Sequence, residues 1–232
     1  MRPTRNLGVV RTADGEELVL YVRDGVYTIR VGGLELMSSR AHGSEDELAR
    51  LTCEALPQRA RPLVLVGGLG MGFTVRAALS YLPADARVVV CEVFPAVMAW
   101  NRGPLADLAG RPLEDARVRP VVADVVELIE AASRRGRPES RSGRFDAILL
   151  DVDNGPEPLT LKTNRRLYDR RGAEGLRDAL TFGGVLGLWS ASPDEGFARR
   201  LEAAGLEVER HAPRARPGAR GPRHVIYLAR RT

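Results

Sequence analysis

Gly67-Gly68-Leu69-Gly70-Met71-Gly72 follows an apolar run, Leu63-Val64-Leu65-Val66, and precedes a segment of helical pattern. Glycines in such a turn let the backbone take positive φ and pass close to a ligand. Glu92 ends the next apolar run, 20 residues after Gly72, where an acid can accept both hydroxyls of a ribose. Asp124 ends a third run and is placed to meet an adenine amino group. The spacing separates two cofactor classes. A dinucleotide site needs G-x-G-x-x-G, with the pyrophosphate at a helix N-terminus. Here Gly68, Gly70 and Gly72 give G-x-G-x-G, and Phe73 follows. A phosphate-binding Gly-Lys-[Ser/Thr] is absent too. The expected ligand is a nucleoside without phosphates, such as S-adenosylmethionine.

A fourth apolar run, Phe145 to Leu150, ends in Asp151-Val152-Asp153-Asn154-Gly155-Pro156. Ligands of an open α/β sheet bind at the carboxyl ends of its strands, so Asp151 is expected beside the sulfonium. It can position an amine nucleophile and hold positive charge while displacement at sulfur proceeds in line. As a base for an amine it would need its carboxyl raised from the ordinary value near 3.9. Asp153 is expected to assist it, with Asn154 on the substrate side and Tyr168 covering the site.

The elements that must position these groups are legible in outline. Residues 1–43 read as a small antiparallel β domain. Its strand-like runs are 18–22, 26–31 and 34–37, with turns at Asp14-Gly15, Asp24-Gly25 and Gly32-Gly33. Ser44, with Glu47 three residues on, predicts a capping box for a helix ending before Pro57. From residue 62 strands alternate with helices: strands at 63–66, 87–93, 118–123, 145–150 and 184–189, helices near 73–82, from Pro95, 125–135, 170–181 and 193–204. Segments 207–211 and 224–228 predict a closing antiparallel pair. The fold class is α/β, a doubly wound Rossmann-like sheet with an antiparallel last strand, and residues 44–232 form its domain.

Composition narrows the class. The chain has 232 residues, 44% hydrophobic and 28% charged, which describes a globular protein able to build its own core. Cys53 and Cys91 are too few for a disulfide scaffold or a four-cysteine zinc site, and His42, His211 and His224 are too scattered for a metal site. No apolar run reaches the roughly 18 residues of a membrane span, and no signal-like stretch follows Met1, so a cytoplasmic protein away from membranes is expected. The net charge of +5 invites a nucleic-acid reading. Lys162 is the only lysine among 35 basic residues, however, a skew that resembles codon bias, and the arginines are widely spread. A nucleic-acid partner is not expected. The arginines of 213–223 read as a solvated hairpin tip.

Together the strand-rich N-terminus, the glycine turn, Glu92, Asp124, the 151–156 loop and Tyr168 resemble the spermidine synthase (polyamine aminopropyltransferase) family, within the class I S-adenosylmethionine-dependent methyltransferase fold. The resemblance runs from about residue 15 to 231. It implies that Gly67, Gly68, Gly70, Gly72, Glu92 and Asp124 bind the nucleoside and that Asp151 is the catalytic aspartate. It also implies a homodimer. This sequence departs from the family pattern at three places. The turn usually reads G-G-G-D-G-G, and Gly70 stands at its aspartate, which would face the amine of a decarboxylated donor. The family's Tyr-His-Glu is replaced by Glu45-Asp46-Glu47-Leu48, where only Glu47 matches as a substrate residue. Asn154 stands for a second loop aspartate. The main expectation is therefore methyl transfer from S-adenosylmethionine to a small amine-bearing acceptor. The alternatives are aminopropyl transfer from decarboxylated S-adenosylmethionine to a diamine, and a non-catalytic nucleoside- or polyamine-binding protein.

Overall fold

A computed structural model describes residues 3–12, 15–134, 143–152, 164–213 and 224–232. The N-terminal segment forms a four-stranded antiparallel sheet in the order β1-β2-β3-β4: Arg5–Arg11, Glu17–Arg23, Val26–Val31 and Leu34–Ser38. Asp24 (φ 49°) and Gly25 (φ 78°) make the two-residue turn that matches the strand twist. Strand β1 is not among the sequence-predicted strands. Its burial is irregular and mostly exposed, so it lacks the apolar alternation that marks the others.

Helix α1, Gly43–Glu54, follows. His42 is its N-cap and gives no side-chain bond, so the expected capping box does not form. The Ser44 hydroxyl donates instead to the Glu45 carboxylate (2.7 Å), and Glu47 pairs with Arg50 (2.7 Å).

The rest is a seven-stranded sheet in the order β10-β11-β9-β8-β5-β6-β7. Strands β5 (Leu63–Gly67), β6 (Arg87–Glu92), β7 (Val118–Val122) and β8 (Phe145–Leu150) are parallel to their neighbours, as is β9 (Leu180–Ser190) to β8. Strands β10 (Leu206–His211) and β11 (Val225–Arg231) close the sheet antiparallel. Strand β9 begins earlier than expected, at Leu180, because α6 ends at Ala179.

The central strands are apolar on both faces, as helices on both sides require. All of β8 is buried. Val64 and Val66 face one layer, with α2 (Phe73–Tyr81), α3 (Pro95–Arg102) and the small sheet's Leu18, Leu20, Ile29 and Val31. Leu65, Ile148 and Leu150 face the other, with α4 (Val125–Ser133), α6 (Arg170–Ala179) and α7 (Glu195–Ala203). A short α5, Arg165–Tyr168, precedes α6. The small sheet thus shares one core with the large one. Among the described residues no helix is long and apolar enough to cross a membrane.

The chain leaves β5 for β6 and β7 on one side, then returns to place β8 on the other side of β5. That reversal opens a crevice at the carboxyl ends of β5 and β8.

Candidate active site

The crevice is a cleft of ≈ 390 Å³, within the range of about 300–1,000 Å³ typical of small-molecule sites. Its floor is the turn after β5. Gly68 (φ 84°), Gly70 (φ 50°) and Gly72 (φ 85°) all take the left-handed conformation. A Cβ on Gly68 would collide with the Asp151 carbonyl, so the turn and the residue that follows β8 meet backbone to backbone there. A Cβ on Gly70 would lie 2.8 Å from the Met37 sulfur. Met37, on β4, therefore fills the place a side chain at position 70 would take.

Glu92 ends β6 and is buried. Its carboxylate accepts from the backbone N–H of Leu69 (3.1 Å) and of Phe94 (3.0 Å) and so fixes the turn. Burial raises its carboxyl pKa, and these N–H groups oppose the rise. Asp124 lies between β7 and α4. It caps α4 by accepting from the Val126 N–H (2.8 Å) and also lines the cleft. Its place is thus fixed by a helix start as well as by a strand end.

Asp151 follows β8 directly. Its N–H donates to the Gly67 carbonyl (2.9 Å), continuing the β5–β8 ladder by one residue. One carboxylate oxygen accepts from the Thr74 hydroxyl of α2 (2.8 Å). Loss of water around Asp151 raises its pKa, and the Thr74 bond works against that.

The first turn of α1 brings a second carboxylate, Glu45, into the same cleft. Glu45 is 7% exposed. Its pKa is pushed up to about 7, first by burial and then by the negative charge of Asp151, while the Ser44 hydroxyl bond opposes the shift. Beyond Ser44 stands His224, with Nδ1 3.1 Å from Ser44 Oγ. The imidazole meets Trp189 edge-on, with ring centroids 4.7 Å apart. Burial lowers the pKa of His224.

The structure thus gathers Gly68, Gly70, Glu92, Asp124 and Asp151 around one cleft. Gly67 and Gly72 bound the same turn. Glu47 is turned toward Arg50 and does not line the cleft; Glu45 takes the place expected of it. Helix α1 starts at Gly43, and this phase faces Glu45 inward. Tyr168 is 4% exposed, packs against Phe197 of α7 (5.0 Å) and does not line the cleft either. Asp153, Asn154 and the arginines at 214, 216, 220 and 223 lie outside the described residues. Sequence reasoning missed Ser44 and His224 as site residues, because their partners are about 180 positions apart. Trp189 is a further wall of the cleft.

The cleft is acidic. Glu35, Glu45, Glu92, Asp124 and Asp151 line it, and among the described residues no Arg or Lys does. In a chain of net charge +5 this is a local reversal of sign.

No family model matches the chain, and no curated protein matches it in sequence. Solved structures do match. A spermidine synthase crystallised in complex with the transition state analogue AdoDATO is similar with a TM-score of 0.73 and 18% identity, over 98% of this chain and 73% of that one. Spermidine synthase from Thermotoga maritima gives a TM-score of 0.75, again at 18% identity and over the same shares of the two chains. The small antiparallel sheet and the class I methyltransferase-like sheet behind it are the fold of these spermidine synthases.

Proposed function

We propose that this protein transfers the aminopropyl group of decarboxylated S-adenosylmethionine to an amine. The carrying observation is the cleft's charge: five carboxylates and, among the described residues, no arginine or lysine. Decarboxylated S-adenosylmethionine and an amine acceptor are both cations. Ordinary S-adenosylmethionine carries a carboxylate, which would enter this cleft without a cationic side chain to meet it. The likeness to a spermidine synthase holding AdoDATO supports the same donor class.

In this reading Glu92 and Asp124 hold the ribose and the adenine, and the glycine turn admits the nucleoside. Asp151 and Glu45 hold the two amines. The acceptor amine, once neutral, attacks the methylene carbon attached to sulfur. A C–N bond forms, the C–S bond breaks, and its electron pair stays on sulfur, so methylthioadenosine leaves as a neutral thioether. The carboxylates contribute by placing the nucleophile and by stabilising the ammonium that forms.

Methyl transfer is the second reading, favoured by Gly70: no carboxylate stands at that position to repel a carboxylated donor. Calorimetric titration with each donor separates the two. The expected result is binding of the decarboxylated donor at least about tenfold tighter, with multiple-turnover formation of methylthioadenosine from a diamine. Tighter binding of S-adenosylmethionine, with S-adenosylhomocysteine as product, would replace the first reading by the second. Binding of either donor with no turnover across a panel of amines would leave a binding protein.

A further inference from the structure

We propose that Glu45 is the base that takes the proton from the incoming amine, and that Ser44 and His224 carry that proton out of the cleft. The proposal rests on the aminopropyl-transfer reading and deepens it. An acceptor amine arrives as an ammonium and must lose one proton before its lone pair can attack. Two carboxylates face the space it enters, and their surroundings differ.

Asp151 leans on the hydroxyl of Thr74, which is 2% exposed on α2. Its other bond is backbone, to Gly67. Glu45 instead begins a polar chain: carboxylate to Ser44 Oγ at 2.7 Å, and Ser44 Oγ to His224 Nδ1 at 3.1 Å. His224 is half-buried and is held edge-on by Trp189. Three elements distant in sequence supply this chain: the start of α1, the start of β11 and the end of β9.

The groups around Glu45 favour the first step, from ammonium to carboxylate. Asp151 from β8 and Asp46 from α1 carry like charge, which favours the protonated form of Glu45. Asp46 is itself engaged by Arg76 of α2 and by His42. Burial disfavours the imidazolium, so His224 is uncharged, has a nitrogen lone pair to offer, and holds the proton only in passing. While Glu45 is ionised, the Ser44 hydroxyl donates to it. When Glu45 takes the amine's proton, its O–H donates to Ser44 Oγ, and the serine hydroxyl turns to donate to Nδ1. One proton moves along the row from ammonium to imidazole, and the imidazolium releases it from its other nitrogen. The amine's electron pair is then free for the C–N bond.

The test joins a titration of the protein alone to turnover. In pH-difference infrared spectra, a carboxylic acid band is expected to disappear around pH 7, to be missing in Glu45→Gln, and to shift in Ser44→Ala. A wild-type spectrum without that band would overturn the proposal. In turnover with the decarboxylated donor and a diamine, Glu45→Gln should lower kcat about 100-fold, within the usual range for a general base. It should also lose the acidic limb of the pH profile, while calorimetry still finds donor binding. Ser44→Ala and His224→Gln should keep the limb and lower kcat about tenfold. A Glu45→Gln enzyme with near-normal kcat and an intact acidic limb would overturn the relay and leave aminopropyl transfer standing. A wild type that binds neither donor would overturn both.

Discussion

At the scale of single residues, the informative feature is a pair of carboxylates that the fold brings together at a cost. Glu45 has an ordinary carboxyl value of 4.5, which the folded protein raises to about 7. A carboxyl raised on folding adds no penalty below its unfolded pKa, where both states are protonated. Between pH 4.5 and 7 the unfolded chain ionises freely and the folded one does not, so stability falls, and above pH 7 the loss is complete. The shift corresponds to about 3 kcal/mol. Glu45→Gln keeps an acceptor for the Ser44 hydroxyl and removes the charge. Its denaturant midpoint should match the wild type at pH 4.5 and exceed it at pH 8, as urea titrations at the two values would measure. The same substitution is expected to cripple turnover, the trade of stability for activity usual at a strained site. The sequence made one of these carboxylates legible and not the other. Asp151 was readable because it ends a buried apolar run. Glu45 stood in a row of three acids, where only the phase of α1 decides which one turns inward. That phase follows the face of α1 that is buried, Leu48, Ala49, Thr52 and Cys53, with which Ser44 and Glu45 are in line.

At the scale of elements, most of what positions the cleft was legible, because the signals were local. The run Leu63–Val66, the glycine turn and the alternation up to β8 each carry their own pattern. Strand β1 carries none, and the four-residue extension of β9 depends on its pairing of Leu180 with Phe145. Helix ends show the same division. The capping box expected at Ser44 failed because α1 starts one residue earlier, at Gly43, which puts Ser44 inside the first turn, where its hydroxyl donates to Glu45. At α7 the cap forms on one carboxylate oxygen of Asp194, and Arg200 pairs with the other. Asp194 accepts from the N–H of Gly196 (2.8 Å) and of Phe197 (3.0 Å). Phe197 is fully buried between Tyr168 and Tyr227. Asp194→Ala removes the side-chain acceptor of these two N–H groups, together with the pair to Arg200, and should lower unfolding free energy by about 1–2 kcal/mol. Helix α7 packs on the face of the sheet away from the small N-terminal sheet, and Asp194 does not line the cleft. Donor binding by calorimetry should therefore be unchanged at a temperature where the variant is folded. A loss of donor affinity would mean that α7 reaches the site through α5 and Tyr168.

At the scale of the whole molecule, charge is divided by distance. The protein carries +5 overall, and arginine pairs such as Arg50 with Glu47 and Glu54, and Arg111 with Asp107 and Glu114, lie on its surface. The cleft carries the opposite sign. A cationic donor is thus repelled by the molecule as a whole and attracted by the carboxylates it touches. Salt acts on these two forces unequally. The screening length falls from about 30 Å at 0.01 M to about 10 Å at 0.1 M, so distant charges fade first while partly buried contacts persist. Over that range, decarboxylated S-adenosylmethionine should bind more tightly, by about two- to threefold. With two positive charges it should respond more than S-adenosylmethionine, whose carboxylate leaves it with one. Calorimetry at the two ionic strengths measures both. Weaker binding at 0.1 M would mean that the cleft carboxylates are screened as surface charges are, and that the donor is held by its nucleoside rather than by its amine.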